Sequence, residues 1–515
     1  MANQYLYGAF GHLGETVAQS AVQAGTTPVY VGVAPINLVR NYKDVKGINA
    51  PLRLNNFVDA QRKLGISGDW DAFSLCEVMT AHFNNPIGNI GPIYVINVLD
   101  PEVHKSTPET EKVLTFVNGR AEFVSDKIIL DTFKITGKTE GTDYNLDYNY
   151  TKNSVVITSA NADDPLTGEQ TAKYFEVDLE KITSAEIIGG VTANGEYTGL
   201  GALRLLYQEQ NQVANLLAAP GWSHDPAVYN ALISAAQKIN DHWDAFVCAD
   251  IPLESNVSRA DFGRVGVAKV AAKASGTPVD TIQKAIDWKK ANGYTNERSK
   301  VFWPMGEDNN GQVFHLSTLG VVELMRADYS HSSVPMETCG NKQVQVIKHY
   351  FGEGSKNRGF DQAAAKDLTS NGISTIIAWG GNWVLWGDHT AAYSYGGDVD
   401  PRAIFDVSMR MLFHITNSFQ REWSPHIDKP MTLQMKDRIL NREQEKLDAL
   451  VAQGALIGDS NQILFLESEN STTDMMNGDF RWDIAATPTP PLKSATVYVS
   501  YTDAGFSAYF ADASA

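Results

Sequence analysis

The chain has 515 residues, 43% of them hydrophobic and 20% charged, an ordinary globular balance with enough length for several packed domains. Acidic residues outnumber basic ones, 60 to 42, and the formal net charge of −18 argues against nucleic acid or an anionic membrane as the main partner. Three separated cysteines, Cys76, Cys248 and Cys339, with no Cys-x-x-Cys pair, argue against a disulfide framework or a structural zinc site.

Residues 1–26 carry Gly8, Gly11, Gly14 and Gly25 around Tyr5, Leu6, Tyr7 and Phe10, too little apolar surface for a core, and read as an extended N-terminal arm. Met1 to Phe10 lack the basic and apolar blocks of a signal peptide, and no apolar run approaches the roughly 20 residues of a membrane span, so the expectation is a protein made and kept in a cytoplasm. A first α/β segment, 27–104, follows: the β-rich run Pro28 to Val33, helices over 56–64 and 71–83, then the strand Ile93 to Val98 after Gly91-Pro92. Between 105 and 190 the pattern changes to short alternating runs (113–117, 127–130, 155–157, 174–177) separated by Asn118-Gly119, Gly137, Gly141 and Gly168. Such spacing predicts an inserted antiparallel β domain.

Helical and α/β character returns over 191–360, with an amphipathic helix through Val228, Leu232, Ala236 and Ile239, a strand over 245–251 and a helix over 281–291. A third segment, 361–487, holds the strand 374–379 and a helix over 402–422 with Phe405, Leu412 and Phe419 at seven-residue intervals. A second long helix follows Pro430, its apolar stripe Leu433, Leu440, Leu447 and Leu450, its opposite face Lys436, Asp437, Arg438, Arg442, Glu443, Glu445 and Lys446. Residues 488–515 begin with Pro488-Thr489-Pro490-Pro491, a stiff tether, and continue into an alternating strand, Val497, Val499 and Tyr501. The fold class expected is α+β: a mixed α/β core, an inserted antiparallel β domain and extended N- and C-terminal arms.

A search for chemistry returns no site. Gly8, Gly11 and Gly14 precede the first strand and lack G-x-G spacing, so no nucleotide loop is expected. Ser223, His224 and Asp225 are contiguous, whereas a triad gathers its members from separate elements; an Asp225-Pro226 helix start accounts for them. Asp388-His389 pairs an acid with an imidazole but shows no nucleophile or metal partner. The eleven histidines lack ligand spacing. No catalytic, cofactor or metal residue is expected.

Asn371-Gly372-Ile373-Ser374 through Trp386-Gly387-Asp388-His389-Thr390 resembles the G-I-N … W-G-x-R-T segment of contractile tail sheath proteins. The helix Arg402 to Trp423 looks like that family's long core helix, and Gly454-Ala455-Leu456-Ile457-Gly458 resembles its L … G-A-L-x-G signature. Gly32-Val33-Ala34-Pro35, the embedded β domain, Pro491-Leu492-Lys493 and a final strand fit the same order; His389 stands where arginine is expected. The resemblance implies a non-enzymatic subunit that forms six-fold rings stacked helically around an inner tube and contracts to drive that tube through a cell envelope. It also implies baseplate and tail terminator proteins as partners, no direct nucleic-acid contact, no stable membrane insertion, and a place in a virion tail or phage-tail-like particle assembled in a bacterial cytoplasm. Arms around Tyr5, Leu6, Tyr7, Val497, Val499 and Tyr501 would add strands to neighbouring subunits. The helix carrying Lys436, Arg438, Arg442, Glu443 and Lys446 would face the lattice or the tube. An α/β enzyme of unknown substrate and another lattice-forming virion protein are the competing readings; a deep pocket with convergent titratable groups would mark the first.

Overall fold

A computed structural model describes residues 22–23, 25–161, 163–255, 277–352 and 360–514 of the chain. Pro28–Gly32 (β1) is a buried run of β-favouring residues at the middle of the main sheet. Leu52–Leu54 (β2) precedes two helices, Phe57–Leu64 (α1), capped where Asn56 Oδ1 accepts the Asp59 N–H, and the wholly buried Ser74–Phe83 (α2). Ile93–Asn97 (β3) then returns to the sheet beside β1.

The chain next leaves the sheet for Thr110–Phe116 (β4), Arg120–Val124 (β5), Lys134–Ile135 (β6), Tyr144–Asn149 (β7), Ser154–Ser159 (β8) and Gly168–Tyr174 (β9). These make two three-stranded antiparallel sheets, in the orders β5-β8-β7 and β4-β9-β6. Asn118 and Gly119, both at positive φ, turn β4 into β5. Their inward residues, among them Leu114, Phe116, Phe123, Phe133, Tyr144 and Tyr174, form an apolar cluster that Leu38 alone joins from outside. The expected strand 127–130 is not one. Ile128, Ile129 and Leu130 are buried, but they run through a single bridge to Glu176 and a 3-10 turn at Leu130–Thr132. The ends of this region meet where the Asp178 N–H donates to the His104 carbonyl at 2.6 Å. That closure comes before the expected end at 190, because Ile182 and Ile187 pack in the main core.

Leu216–Ala218 (β10), the helix Pro226–Ala235 (α3), Phe246–Asp250 (β11), the helix Ile282–Ala291 (α4) and Ser299–Phe302 (β12) continue the sheet. After the helix Leu316–Ser330 (α5) come Gln362–Thr369 (α6), Ile373–Trp379 (β13) and Asn382–Trp386 (β14). The completed sheet has eight strands in the order β14-β13-β12-β11-β10-β1-β3-β2, parallel except for its two outermost strands. Near-continuous burial of β1, β3 and β11 suits parallel strands covered on both faces. The expected boundary at 360/361 falls inside this sheet, since β12 pairs with β13 across it.

Asp406–Trp423 (α7) and Leu433–Ala452 (α8) then form an antiparallel pair, closed by the hairpin Gln462–Leu464 (β15) and Asp483–Ala485 (β16). Mixed helices and strands in several sheets make the class α+β, as expected.

Candidate assembly surfaces

Asp225, Ser223 and His389, suspected of chemistry in the sequence, have structural work; Gly8, Gly11 and Gly14 lie outside the described residues. Asp225 caps α3 by accepting the Ala227 N–H at 2.9 Å, and Ser223 Oγ accepts the Asp250 N–H at 3.0 Å. His389 is stacked between Tyr393 and Phe405, at 3.5 and 5.2 Å between ring centroids, while its Nδ1 lies 3.0 Å from the Ile404 carbonyl. Burial lowers its pKa to about 4, so it is a neutral packing group at pH 7. Gly387, at φ +131°, passes so near β13 that a Cβ there would lie 2.6 Å from Ser374 Oγ, which explains the glycine of the W-G segment. All three cysteines are buried, and burial raises Cys76 to about 12 and Cys339 to about 11. Among the described residues no grouping of three His, Cys, Asp or Glu side chains could hold a metal, and no helix is long and apolar enough to cross a membrane.

Two buried ion pairs hold α7 on the body, and nothing in the sequence pattern pointed to them. Lys300 of β12, fully buried, donates to Asp406 Oδ2 at 2.7 Å, and the Thr338 hydroxyl donates to the same oxygen at 2.8 Å. One turn along α7, Arg410 pairs with Asp328 of α5, both side chains at least 96% buried. Lys300 also reaches the Gly387 carbonyl at 2.9 Å, so the W-G segment, the sheet and α7 share one ammonium. Buried ions without such partners would cost several kcal/mol each.

On α8 the structure divides the expected set. Arg438 and Arg442 are exposed, Lys436 and Lys446 half-buried. Glu443 is 3% exposed and faces inward, accepting the Trp423 indole N–H at 2.7 Å and pairing with Lys446 at 2.8 Å. It therefore belongs to the helix pair and not to the outward charged face. The stripe also shifts: Ile439, Glu443, Leu447 and Leu450 are inward, whereas Leu433 is 78% exposed. The outward side of α8 lines a cavity of about 530 Å³ with Glu422, Asp437, Arg438, Arg442 and Glu445.

The C-terminal segment is held at its start and again at Lys493, whose ammonium donates to the Tyr393 hydroxyl at 3.3 Å and lies 5.0 Å over its ring. The Ile457 N–H donates to the Thr487 carbonyl, and the Thr489 N–H to the Ala455 carbonyl, each at 3.0 Å. Beyond Thr489 the strand expected through Val497, Val499 and Tyr501 is not formed within the subunit. Val497, Tyr498, Val499 and Tyr501 are 81 to 91% exposed. Tyr5, Leu6 and Tyr7 lie outside the described residues.

No family model matches the chain. It is 25% identical over 512 residues to the tail sheath protein of Burkholderia phage BcepMu, covering 98% of each chain. In fold it is similar to a chain of the anti-feeding prophage baseplate, with TM-score 0.53, 13% identity and coverage of 97% of this chain and 99% of the other. It is also similar to the sheath complex of the PVC extracellular contractile injection system in its contracted state, with TM-score 0.52, 11% identity and coverage of 98% and 99%. From end to end the chain is similar in sequence to a phage tail sheath protein, and in fold to chains of contractile injection-system particles.

Proposed function

We propose that the subunit polymerises as stacked six-membered rings around an inner tube and that its two ends serve as strand-adding arms between subunits. The observation that carries this reading is the segment 490–502, whose large apolar side chains are exposed and which forms no strand within the subunit before the 3-10 helix Ala504–Ser514. A β-favouring strand left without a sheet is stable only when a neighbour supplies the edge. Heterologous contacts of that kind do not close on themselves and grow into tubes. The phage tail sheath relative and the neighbours from injection-system particles support placing the subunit in a virion tail or phage-tail-like particle. Assembly in a bacterial cytoplasm, with baseplate and tail terminator proteins at the two ends of the stack, follows from the same reading.

Within this arrangement Arg438, Arg442, Lys436 and Lys446 offer charged contacts to the lattice or tube, and the β-rich region lies on the outer side as a separable unit. Truncation at residue 494 tests the carrying observation. The shortened protein should melt as the full chain does, because residues 495–509 are all exposed, yet remain monomeric by light scattering. Tubes of normal length from the truncated chain would end the C-terminal half of the proposal; loss of folding would show that the segment serves its own subunit.

A further inference from the structure

The chain enters the main sheet through a short, heavily fixed root. Val22–Gln23 pairs in parallel with Ile90–Gly91. The Thr27 N–H donates to Asn215 Oδ1, and the Asn215 N–H donates to the Thr27 carbonyl, both at 2.9 Å, just before β1 begins. Between these points Gly25 crosses Ser333 so closely that a Cβ at residue 25 would lie 2.4 Å from Ser333 Oγ. Ser332 and Ser333 hold φ of 57° and 68°, two consecutive left-handed residues without glycine's freedom. Strain of this kind persists only where the surroundings over-determine it.

Thr26 adds the decisive contact. Its hydroxyl donates to Asp328 Oδ2 at 2.7 Å, and the same oxygen accepts from Arg410 of α7. Arg410 follows Asp406 by one turn, and Asp406 holds Lys300 of β12. A single buried carboxylate oxygen thus joins the root of the N-terminal segment to the helix that opens the last fifth of the chain. Asp328 Oδ1, Asp406 Oδ1 and Arg410 Nη1 are buried with no hydrogen-bond partner among the described residues, so the cluster is incompletely satisfied and its members are coupled through shared partners.

We propose that Asp328 is a positioning residue that passes tension from the N-terminal arm to α7, so that displacement of a neighbouring subunit is felt at the helix pair as well as in β1. This rests on the reading of residues before 22 as an inter-subunit arm. Withdrawing Thr26 leaves Arg410 as the remaining side-chain partner of Asp328 and loosens the first turns of α7. An ordinary packing contact would loosen only its own surroundings.

Hydrogen exchange on the full-length subunit separates the two. Thr26→Val should raise exchange about fivefold at residues 25–31 and also at 406–414, a coupling typical of neighbours in one polar network. Thr26→Ser should restore the native rates at both places, and Asn215→Ala should raise exchange at the root alone. Native rates in α7 of Thr26→Val would overturn the coupling. In assembled sheaths, Thr26→Val should leave extended tubes normal but increase breakage between rings during triggered contraction; unbroken contraction would overturn the tension role. Deleting residues 1–21 is the separate check on the arm: normal tubes from that deletion would end the arm reading while leaving the exchange result intact.

Discussion

The β-rich region between Thr110 and Tyr174 and the α7–α8 pair solve the same problem of cohesion by opposite means. The first holds itself together with its own aromatic cluster, in which Phe133 lies 6.0 to 6.5 Å from the rings of Phe123, Tyr144 and Tyr174. The second has only small apolar clusters of its own, and its attachment to the body combines Met409 in the main core and Asn417 hydrogen bonds to Asp244 with buried charges on Asp406 and Arg410. A region with a private core can be a passenger on the fold. A region docked by ion pairs with fixed partners is held in one register, because a slipped register would strand buried charges. This places geometric precision where the helices join the sheet.

The largest expected effect attacks the charged attachment. Lys300→Met leaves Asp406 buried and unpaired and should cost about 3–5 kcal/mol in urea denaturation. Lys300→Met with Asp406→Leu should recover most of that loss, since an apolar pair replaces an ion pair at little cost. Equal destabilisation by the single and double variants would mean that volume, not charge, holds α7. Phe133→Ala attacks the other side of the comparison, with an expected cost of about 3 kcal/mol. That loss should appear as early proteolysis confined to 105–178 while the remaining transition stays put. A uniform shift of the whole unfolding curve would show that the β-rich region is not a private unit.

A third prediction concerns pH. His315 precedes α5 with Nδ1 2.7 Å from Glu77 Oε2, and its backbone N–H donates to Glu77 Oε1 at 2.8 Å. Burial alone would depress the imidazolium, but the Glu77 carboxylate outweighs it and raises the pKa to about 9, with Asp250 and Asp71 adding to the effect. A raised folded-state pKa gives stability that is complete below the unfolded value of about 6.5 and is lost as pH climbs through 9. Unfolding free energy should therefore fall by up to about 3 kcal/mol across that window. His315→Gln should remove the slope. Glu323, pushed up to about 7 by burial, also loses stability with rising pH, but its contribution is spent at lower pH.

How far the sequence reveals this structure depends on the range of the signal. Helices over 56–64 and 402–422 appear within a few residues of α1 and α7, because caps and apolar spacing are local. Four strands of the main sheet escape such reading, β2, β10, β12 and β14: β2 and β10 have three residues each, too short for a pattern, and β12 carries Lys300. Lys300 finds its carboxylate 106 residues away and Arg410 finds its own 82 residues away, so no window shorter than the domain contains both partners. Glu443 misleads for a related reason: on helical spacing it looks like one of several solvated charges, and only the Trp423 indole on the facing helix turns it inward. The C-terminal strand shows the reverse case. Its alternation is legible, but no strand forms there within the subunit.

The smallest expected effect sharpens the comparison from outside. Arg438 and Arg442 sit on the outward side of α8, where Arg442 pairs with Glu422 and Glu445 at 3.5 and 3.4 Å. Exposed pairs of this length contribute little, because water screens them and two long side chains must be ordered. Arg438→Ala with Arg442→Ala should therefore change the stability of the monomer by no more than about 0.5 kcal/mol. Tube assembly should respond differently if this face meets a lattice neighbour or the tube, with the salt concentration needed to dissolve tubes falling in the double variant. Unchanged stability together with unchanged salt resistance would remove α8 from the contact surface and leave its charges as a solvated face. A stability loss well above the expected value would instead show that these arginines brace the α7–α8 pair from its outer side, as Lys446 does through Glu443 and Glu422.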